Sequence, residues 1–143
     1  MKTILLASVL ALAATAGCSR SSDNNVTEKV TAKKANLPTI TVDEVDQQLA
    51  SGDCVPVDAN GQETRKKMGV VPGAVLLTDS ETFNVAELPA DKSKTLVFYC
   101  ANTRCGASHT AAEKALTAGY SNVKVMPDGI AGWVKAGKKI QSI

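Results

Sequence analysis

The sequence predicts an α/β domain with five strands in a largely parallel sheet. Strand and helix signals alternate from Leu37 to Ile143, the pattern of successive βα units. The run Thr95-Leu96-Val97-Phe98-Tyr99 is apolar enough for a strand covered on both faces, as central parallel strands are. From Ser108 onward, Ala111, Ala112, Ala115 and Leu116 recur at helical spacing.

Each element has its own signal. Thr39-Ile40-Thr41 reads as a short first strand, and Thr41 and Glu44 form a Thr-x-x-Glu capping box. Val42, Val45 and Leu49 then carry a helix to Gly52. Cys54 to Val57 is the second strand, where Pro56 argues against a central position because it lacks an N–H. Gln62 to Met68 is a short charged helix whose Arg65, Lys66 and Lys67 read as a solvated face. Ala74 to Leu77 is the third strand. Asp79 to Ala90 is irregular, with room for a helical turn, and Thr95 to Tyr99 is the fourth strand. Ser108 to Ala118 is a helix burying Ala111, Ala112, Ala115 and Leu116, and Gly119 stops it. Val123 to Met126 is the last strand, and Ile130 to Ala136 is a closing helix ended by Gly137.

Residues 1–17 read as a leader rather than as part of the fold. Lys2 is followed by an apolar run from Ile4 to Ala16, too short to span a bilayer permanently. Ala16-Gly17-Cys18 resembles a bacterial lipobox, which implies cleavage before Cys18 and acylation of that residue; Ala14-Thr15-Ala16 offers an ordinary signal peptidase site instead. With Ser19 after Cys18, the resemblance places the protein on the periplasmic side of the outer membrane as a lipoprotein, the alternative being a soluble periplasmic or secreted form. Residues 18–36 are polar and aperiodic, as in a flexible tether, and the domain covers 37–143. Loss of Lys2 leaves 15 basic and 14 acidic residues, a balance that gives no reason to expect nucleic acid.

The chemistry centres on Cys100. It ends the apolar fourth strand and opens the loop Ala101-Asn102-Thr103-Arg104-Cys105-Gly106-Ala107, with Ser108 beginning a helix. Ligands in parallel α/β sheets lie beyond the carboxyl ends of strands. Amides left unpaired at the helix start, with Arg104, favour a thiolate, so the loop amides are expected to converge on Cys100. Burial as a small core residue is the competing reading.

Cys105 is open to three readings: a resolving thiol for a sulfenate or persulfide on Cys100, a locked disulfide partner in an oxidising compartment, or a bystander. Cys54 reads as a buried structural thiol, with a disulfide to a loop cysteine as the alternative. His109, the single histidine, either assists a cysteine or stands solvated in the first helical turn. Asp58 orders the turn after the second strand and has no evident charged partner. Trp133 reads as core packing. Cys100, Cys105 and His109 offer three metal ligands without a fourth, so no metal and no cofactor are expected.

From Leu37 to Ile143 the chain resembles a rhodanese-like domain. The matching segments are Thr39 to Val45, Pro56-Val57-Asp58, Val71-Pro72-Gly73-Ala74, Val97 to Cys100, Ala118-Gly119-Tyr120 and Gly129-Ile130-Ala131-Gly132-Trp133. The resemblance implies a three-layer α/β/α fold and a sulfurtransferase in which Cys100 holds sulfane sulfur as a persulfide. Its partners would be a donor such as thiosulfate or a persulfide, and a thiol acceptor. Asn60 stands where family members often have arginine, and Val70 where histidine is common. The loop runs Cys-x4-Cys-x2-Ser, about two residues longer than usual, resembling a subgroup with a second loop cysteine. A non-enzymatic module for partner binding or redox sensing through Cys100 and Cys105 is the alternative function. A phosphatase or arsenate reductase on the same fold is disfavoured, because Gly106 occupies the position of the oxyanion-binding arginine.

Overall fold

The computed structural model describes residues 36–143. The leader, Cys18 and nearly all of the expected tether lie outside the described residues. In chain order the elements are α1 (Val42–Ser51), β1 (Cys54–Asp58), α2 (Gln62–Met68), β2 (Val75–Leu76), a 3-10 turn (Val85–Glu87), β3 (Thr95–Tyr99), α3 (Ala107–Thr117), β4 (Val123–Val125) and α4 (Gly129–Lys135). The strands form a four-stranded parallel sheet in the order β2-β1-β3-β4.

The α/β class and the parallel sheet are as the sequence indicates, with four strands rather than five. The missing one is Thr39 to Thr41. There the chain makes only a single parallel bridge, Thr39 to Val125, before Thr41 caps α1. The Thr41 hydroxyl accepts from the Glu44 amide at 3.3 Å, and the Glu44 carboxylate accepts from the Thr41 amide at 2.9 Å. Such a cap is worth about 1 kcal/mol and commits Thr41 to starting a helix. An antiparallel bridge between Val70 and Gln141, absent from the sequence reading, ties the C-terminal segment back to the end of α2.

Pro56 does lie in a central strand, and the register explains how. The Ala59 amide donates to the Tyr99 carbonyl of β3, whereas the Asp58 carbonyl accepts from Leu77 beyond β2. Polar groups alternate sides along a strand, so Pro56 faces the β2 flank. The two-residue β2 pairs only with Val57 and Asp58, leaving no ladder bond at the position where proline lacks its donor.

Side-chain alternation along β3 divides the core into two clusters. Leu96, Phe98 and Cys100 face α3, where Ala111, Ala112 and Ala115 form a stripe of small side chains. Val97 and Tyr99 face the other way, onto Val42 and Val45 of α1 and Ile130 and Trp133 of α4. This is the three-layer α/β/α arrangement. Trp133 packs in the core, and its indole N–H donates to the Lys139 carbonyl at 2.7 Å. Leu116, expected in the core, is instead 36% exposed. It lies one position beyond the stripe set by Ser108, Ala111, Ala112 and Ala115.

Candidate functional site

Cys100 follows directly from the geometry of β3. The same alternation that buries Leu96 and Phe98 turns its side chain under the start of α3. The residue is 2% exposed. Helix α4 holds the neighbouring backbone: the Ile130 amide donates to the Cys100 carbonyl at 2.8 Å, and the Ala131 amide to the Ala101 carbonyl at 3.0 Å. That approach needs a glycine at 129. Gly129 has φ +61°, and a Cβ there would collide with the Cys100 and Ala101 carbonyls.

The Cys100 thiol donates to the Cys105 carbonyl at 3.2 Å and lies 3.4 Å from the Ser108 hydroxyl. Ser108 is buried and begins the stripe that α3 presents to the sheet. Between them the loop folds on itself: the Cys105 amide donates to the Asn102 carbonyl at 3.0 Å, and the Arg104 amide to the Asn102 side chain at 3.0 Å. Cys105 is thereby turned inward and half-buried, while Asn102, Thr103 and Arg104 are exposed.

The loop amides do not converge on one sulfur. Backbone hydrogen bonding from Ser108 favours the Cys100 thiolate, whereas that from Ala101 and Ala107 favours the Cys105 thiolate. Burial pushes the Cys100 thiol above its ordinary range, and its hydrogen bonding with Cys105 adds to the effect; Ser108 offsets only part. Burial also acts against ionising Cys105. Hydrogen bonding from Cys100 and from the two amides outweighs it, so Cys105 lies below the ordinary thiol range. Against the expectation that the helix-start amides alone govern Cys100, burial opposes its ionisation, and the longer loop returns Cys105 to the same helix start.

A cavity of about 280 Å³ opens over this pair. Its wall includes Cys105, Ala101 and Ala107 but not Cys100. The opposite side comes from Ala59, Asn60, Gly61 and Thr64 after β1, and from Thr78, Asp79 and Ser80 after β2. The cavity therefore sits beyond the carboxyl ends of three adjacent strands. Among the described residues, no lysine or arginine lines it.

The remaining candidates are dispersed. Asp58 has a partner after all, because Arg65 is 4% exposed rather than solvated and its Nε lies 3.0 Å from Asp58 Oδ1. Asp58 also accepts from the Asn60 amide at 2.7 Å, so it shapes the turn that forms the cavity wall and does not reach the sulfurs. Arg104 is exposed, and it is not among the groups that shift either cysteine. His109 is half-buried on α3 and makes no side-chain hydrogen bond to either sulfur. Among the described residues, no three His, Cys, Asp or Glu side chains gather as a metal site would require.

Cys54 is a buried thiol facing Val97, Tyr99 and Trp133 on the far side of the sheet. It pairs in register with Thr95, five residues before Cys100 along β3. That separation is about 16 Å at strand rise, too far for a disulfide. Thr64, Thr78, Asp79 and Ser80 were not anticipated as site residues. They belong to turns distant in sequence from Cys100, and only the turn-forming Asp79-Ser80 offered a local signal.

Comparison with known proteins supports the same assignment. No curated relative matches the chain. Among solved structures, the BH2092 protein from Bacillus halodurans is 21% identical with a TM-score of 0.65, covering 73% of this chain and 77% of its own. A thiosulfate sulfurtransferase from Pseudomonas aeruginosa is 23% identical with a TM-score of 0.61, covering 74% of this chain but only 20% of its own. A human single-domain sulfurtransferase is 21% identical with a TM-score of 0.55, covering 68% of this chain and 96% of its own. At these identities the structural likeness establishes the fold. Residues 41–136 match the rhodanese-like domain family, spanning the sheet, the Cys100 loop and all four helices. The chain belongs to the rhodanese-like domain family.

Proposed function

We propose that this protein is a thiol-dependent sulfurtransferase that takes up sulfane sulfur as a persulfide at the Cys100–Cys105 site. The observation that carries the reading is a pair of thiols at the carboxyl end of β3, beneath helix-start amides and open to a cavity through Cys105. A thiolate attacks the outer sulfur of a donor, expels the donor's remaining group, and holds the sulfur until a thiol acceptor removes it. Two neighbours of the same fold, a thiosulfate sulfurtransferase and a single-domain sulfurtransferase, support the reaction class. Thiosulfate or a small persulfide is the donor class. Acylated Cys18 anchors the domain to the outer membrane on its periplasmic side, with residues 18–36 as its tether.

The test is sulfur loading of the reduced mature protein, measured by intact mass and by cyanolysis. Wild type takes up sulfur from a persulfide or thiosulfate, read as cyanolysable sulfur held on the protein or as sulfide released when the pair closes, and the Cys100→Ser, Cys105→Ser double variant shows neither. Equal sulfur uptake by both proteins, held and released sulfur counted together, would refute the reading. The same mass spectrum reports the lipid on Cys18.

A second reading has one observation in its favour. Cys100 is almost fully buried and donates to a carbonyl, as suits a thiol that senses redox state by closing on Cys105. That module would load no sulfur from any donor, yet lose two hydrogens reversibly under mild oxidant. Phosphatase chemistry gains nothing from the site, because among the described residues no arginine lines the cavity and Gly106 supplies no side chain.

A further inference from the structure

We infer that Cys105 is the thiol that meets the donor and that Cys100 is the resolving thiol beneath it, so that the pair releases sulfane sulfur as sulfide by closing to a disulfide. The inference rests on the sulfurtransferase reading and reverses the order of the two cysteines that the loop sequence suggests. Access comes first. Cys105 lines the cavity and Cys100 does not. Cys100 is 2% exposed and lies behind the Cys105 backbone, whose carbonyl holds its thiol at 3.2 Å. A donor entering from solvent reaches Cys105 before it reaches Cys100.

Ionisation agrees with access. Burial opposes ionisation of Cys105, but hydrogen bonding from the Ala101 and Ala107 backbone favours its thiolate and brings the thiol below its ordinary range. Burial pushes the Cys100 thiol above its ordinary range, as suits a resolving thiol that acts only after the first step.

The chemistry balances without an outside oxidant. The Cys105 thiolate attacks the outer sulfur of an organic hydropersulfide, forming a new sulfur–sulfur bond and expelling the donor thiolate. Cys100 then attacks the Cys105 sulfur. The Cys100–Cys105 bond forms, the bond to the outer sulfur breaks, and the Cys100 proton leaves with hydrosulfide as hydrogen sulfide. The two cysteines lose two electrons, and the sulfane sulfur gains them. An external dithiol, supplying two electrons and two protons, restores the pair.

The cavity wall narrows the donor class. Asn60, Thr64, Thr78 and Ser80 offer neutral polar groups, Asp79 adds a carboxylate, and among the described residues no lysine or arginine lines the cavity. Such a wall favours an organic persulfide over the thiosulfate dianion.

The experiment uses the full mature chain, reduced and then freed of reductant, with one equivalent of freshly prepared cysteine persulfide or of thiosulfate. Wild type loses about 2 Da and releases one equivalent of sulfide. Cys100→Ser gains about 32 Da, retained and mapped to Cys105. Cys105→Ser and Cys105→Ala load sulfur at less than about a tenth of the wild-type rate. Thermal midpoints identify the folded variants, and the two Cys105 substitutions serve as replicates. Loading of Cys100 at the wild-type rate in folded Cys105 variants would overturn the order while leaving the sulfurtransferase reading intact. A wild-type protein that stays 32 Da heavier without closing would overturn the resolving step, and equal rates with thiosulfate would overturn the donor class. Absence of sulfur from every protein with both donors would instead defeat the underlying reading.

Discussion

Arg65 Nε stands 3.0 Å from Asp58 Oδ1, and both side chains are buried, at 4% and 0% exposure. The guanidinium also donates to the Asp58 carbonyl at 3.0 Å and to the Leu77 carbonyl at 2.8 Å. One side chain from α2 thus ties together the carboxyl ends of β1 and β2, from which the cavity wall over the cysteines is built.

Removing one partner leaves the other charge buried without compensation. Arg65→Met is expected to lower unfolding free energy by about 3–5 kcal/mol, measured by urea denaturation. Replacing both, Asp58→Asn with Arg65→Met, recovers part of the loss. A cost below about 1 kcal/mol for the single change would show that the pair is not sealed from water.

Gly129 is the contact point between α4 and the cysteine loop. Gly129→Ala adds a Cβ against the Cys100 and Ala101 carbonyls at a positive φ. Strain of this kind costs about 1–3 kcal/mol, and its relief requires Cys100 to move. Both the thermal midpoint and the rate of sulfur uptake are expected to fall. Loss of stability with unchanged uptake would mean that the loop holds its shape without α4.

How much of this was legible beforehand depends on how local each cause is. The capping box at Thr41 and Glu44, the buried strand at Thr95 to Tyr99 and the alanine stripe of α3 are written in neighbouring residues, and the structure places them accordingly. Pro56 shows the limit. Its tolerance depends on β2 being only two residues long, a fact of pairing rather than of composition. Arg65 sits in a run of basic residues that reads as solvated; its burial depends on a carbonyl twelve residues away at Leu77. The thiol at position 100 could be located from its place between strand and helix. The division of amides between two sulfurs could not, since it follows from the folding of the intervening loop.

Ser108 contributes the hydroxyl beside Cys100, 3.4 Å from its sulfur. That contact favours the thiolate, so Ser108→Ala is expected to make Cys100 still harder to ionise. In a Cys54→Ala, Cys105→Ala background, alkylation of Cys100 at fixed pH should slow by roughly three- to tenfold, the size of one hydrogen bond. An unchanged rate would show that the hydroxyl only fills space.

Cys54 supplies a pH signature remote from the cavity. Burial pushes its thiol up to about 11 from 9.0, with Asp53 adding slightly and Lys124 opposing. The native state keeps the proton after the unfolded chain has lost it. The stabilising effect is therefore complete below about pH 9 and lost as pH rises toward 11. Cys54→Ala should flatten the fall in stability over that interval, read from denaturation midpoints across pH. Parallel curves for the two proteins would place Cys54 in contact with water.

The central claim is that Cys105 is the accessible and more readily ionised sulfur and that Cys100 lies buried beneath it. Substoichiometric alkylation with iodoacetamide at neutral pH, followed by peptide mapping, tests this directly. More than about ten times as much label on Cys105 as on Cys100 or Cys54 is predicted, because the thiolate is the reactive form. Label appearing first on Cys100 would contradict the account.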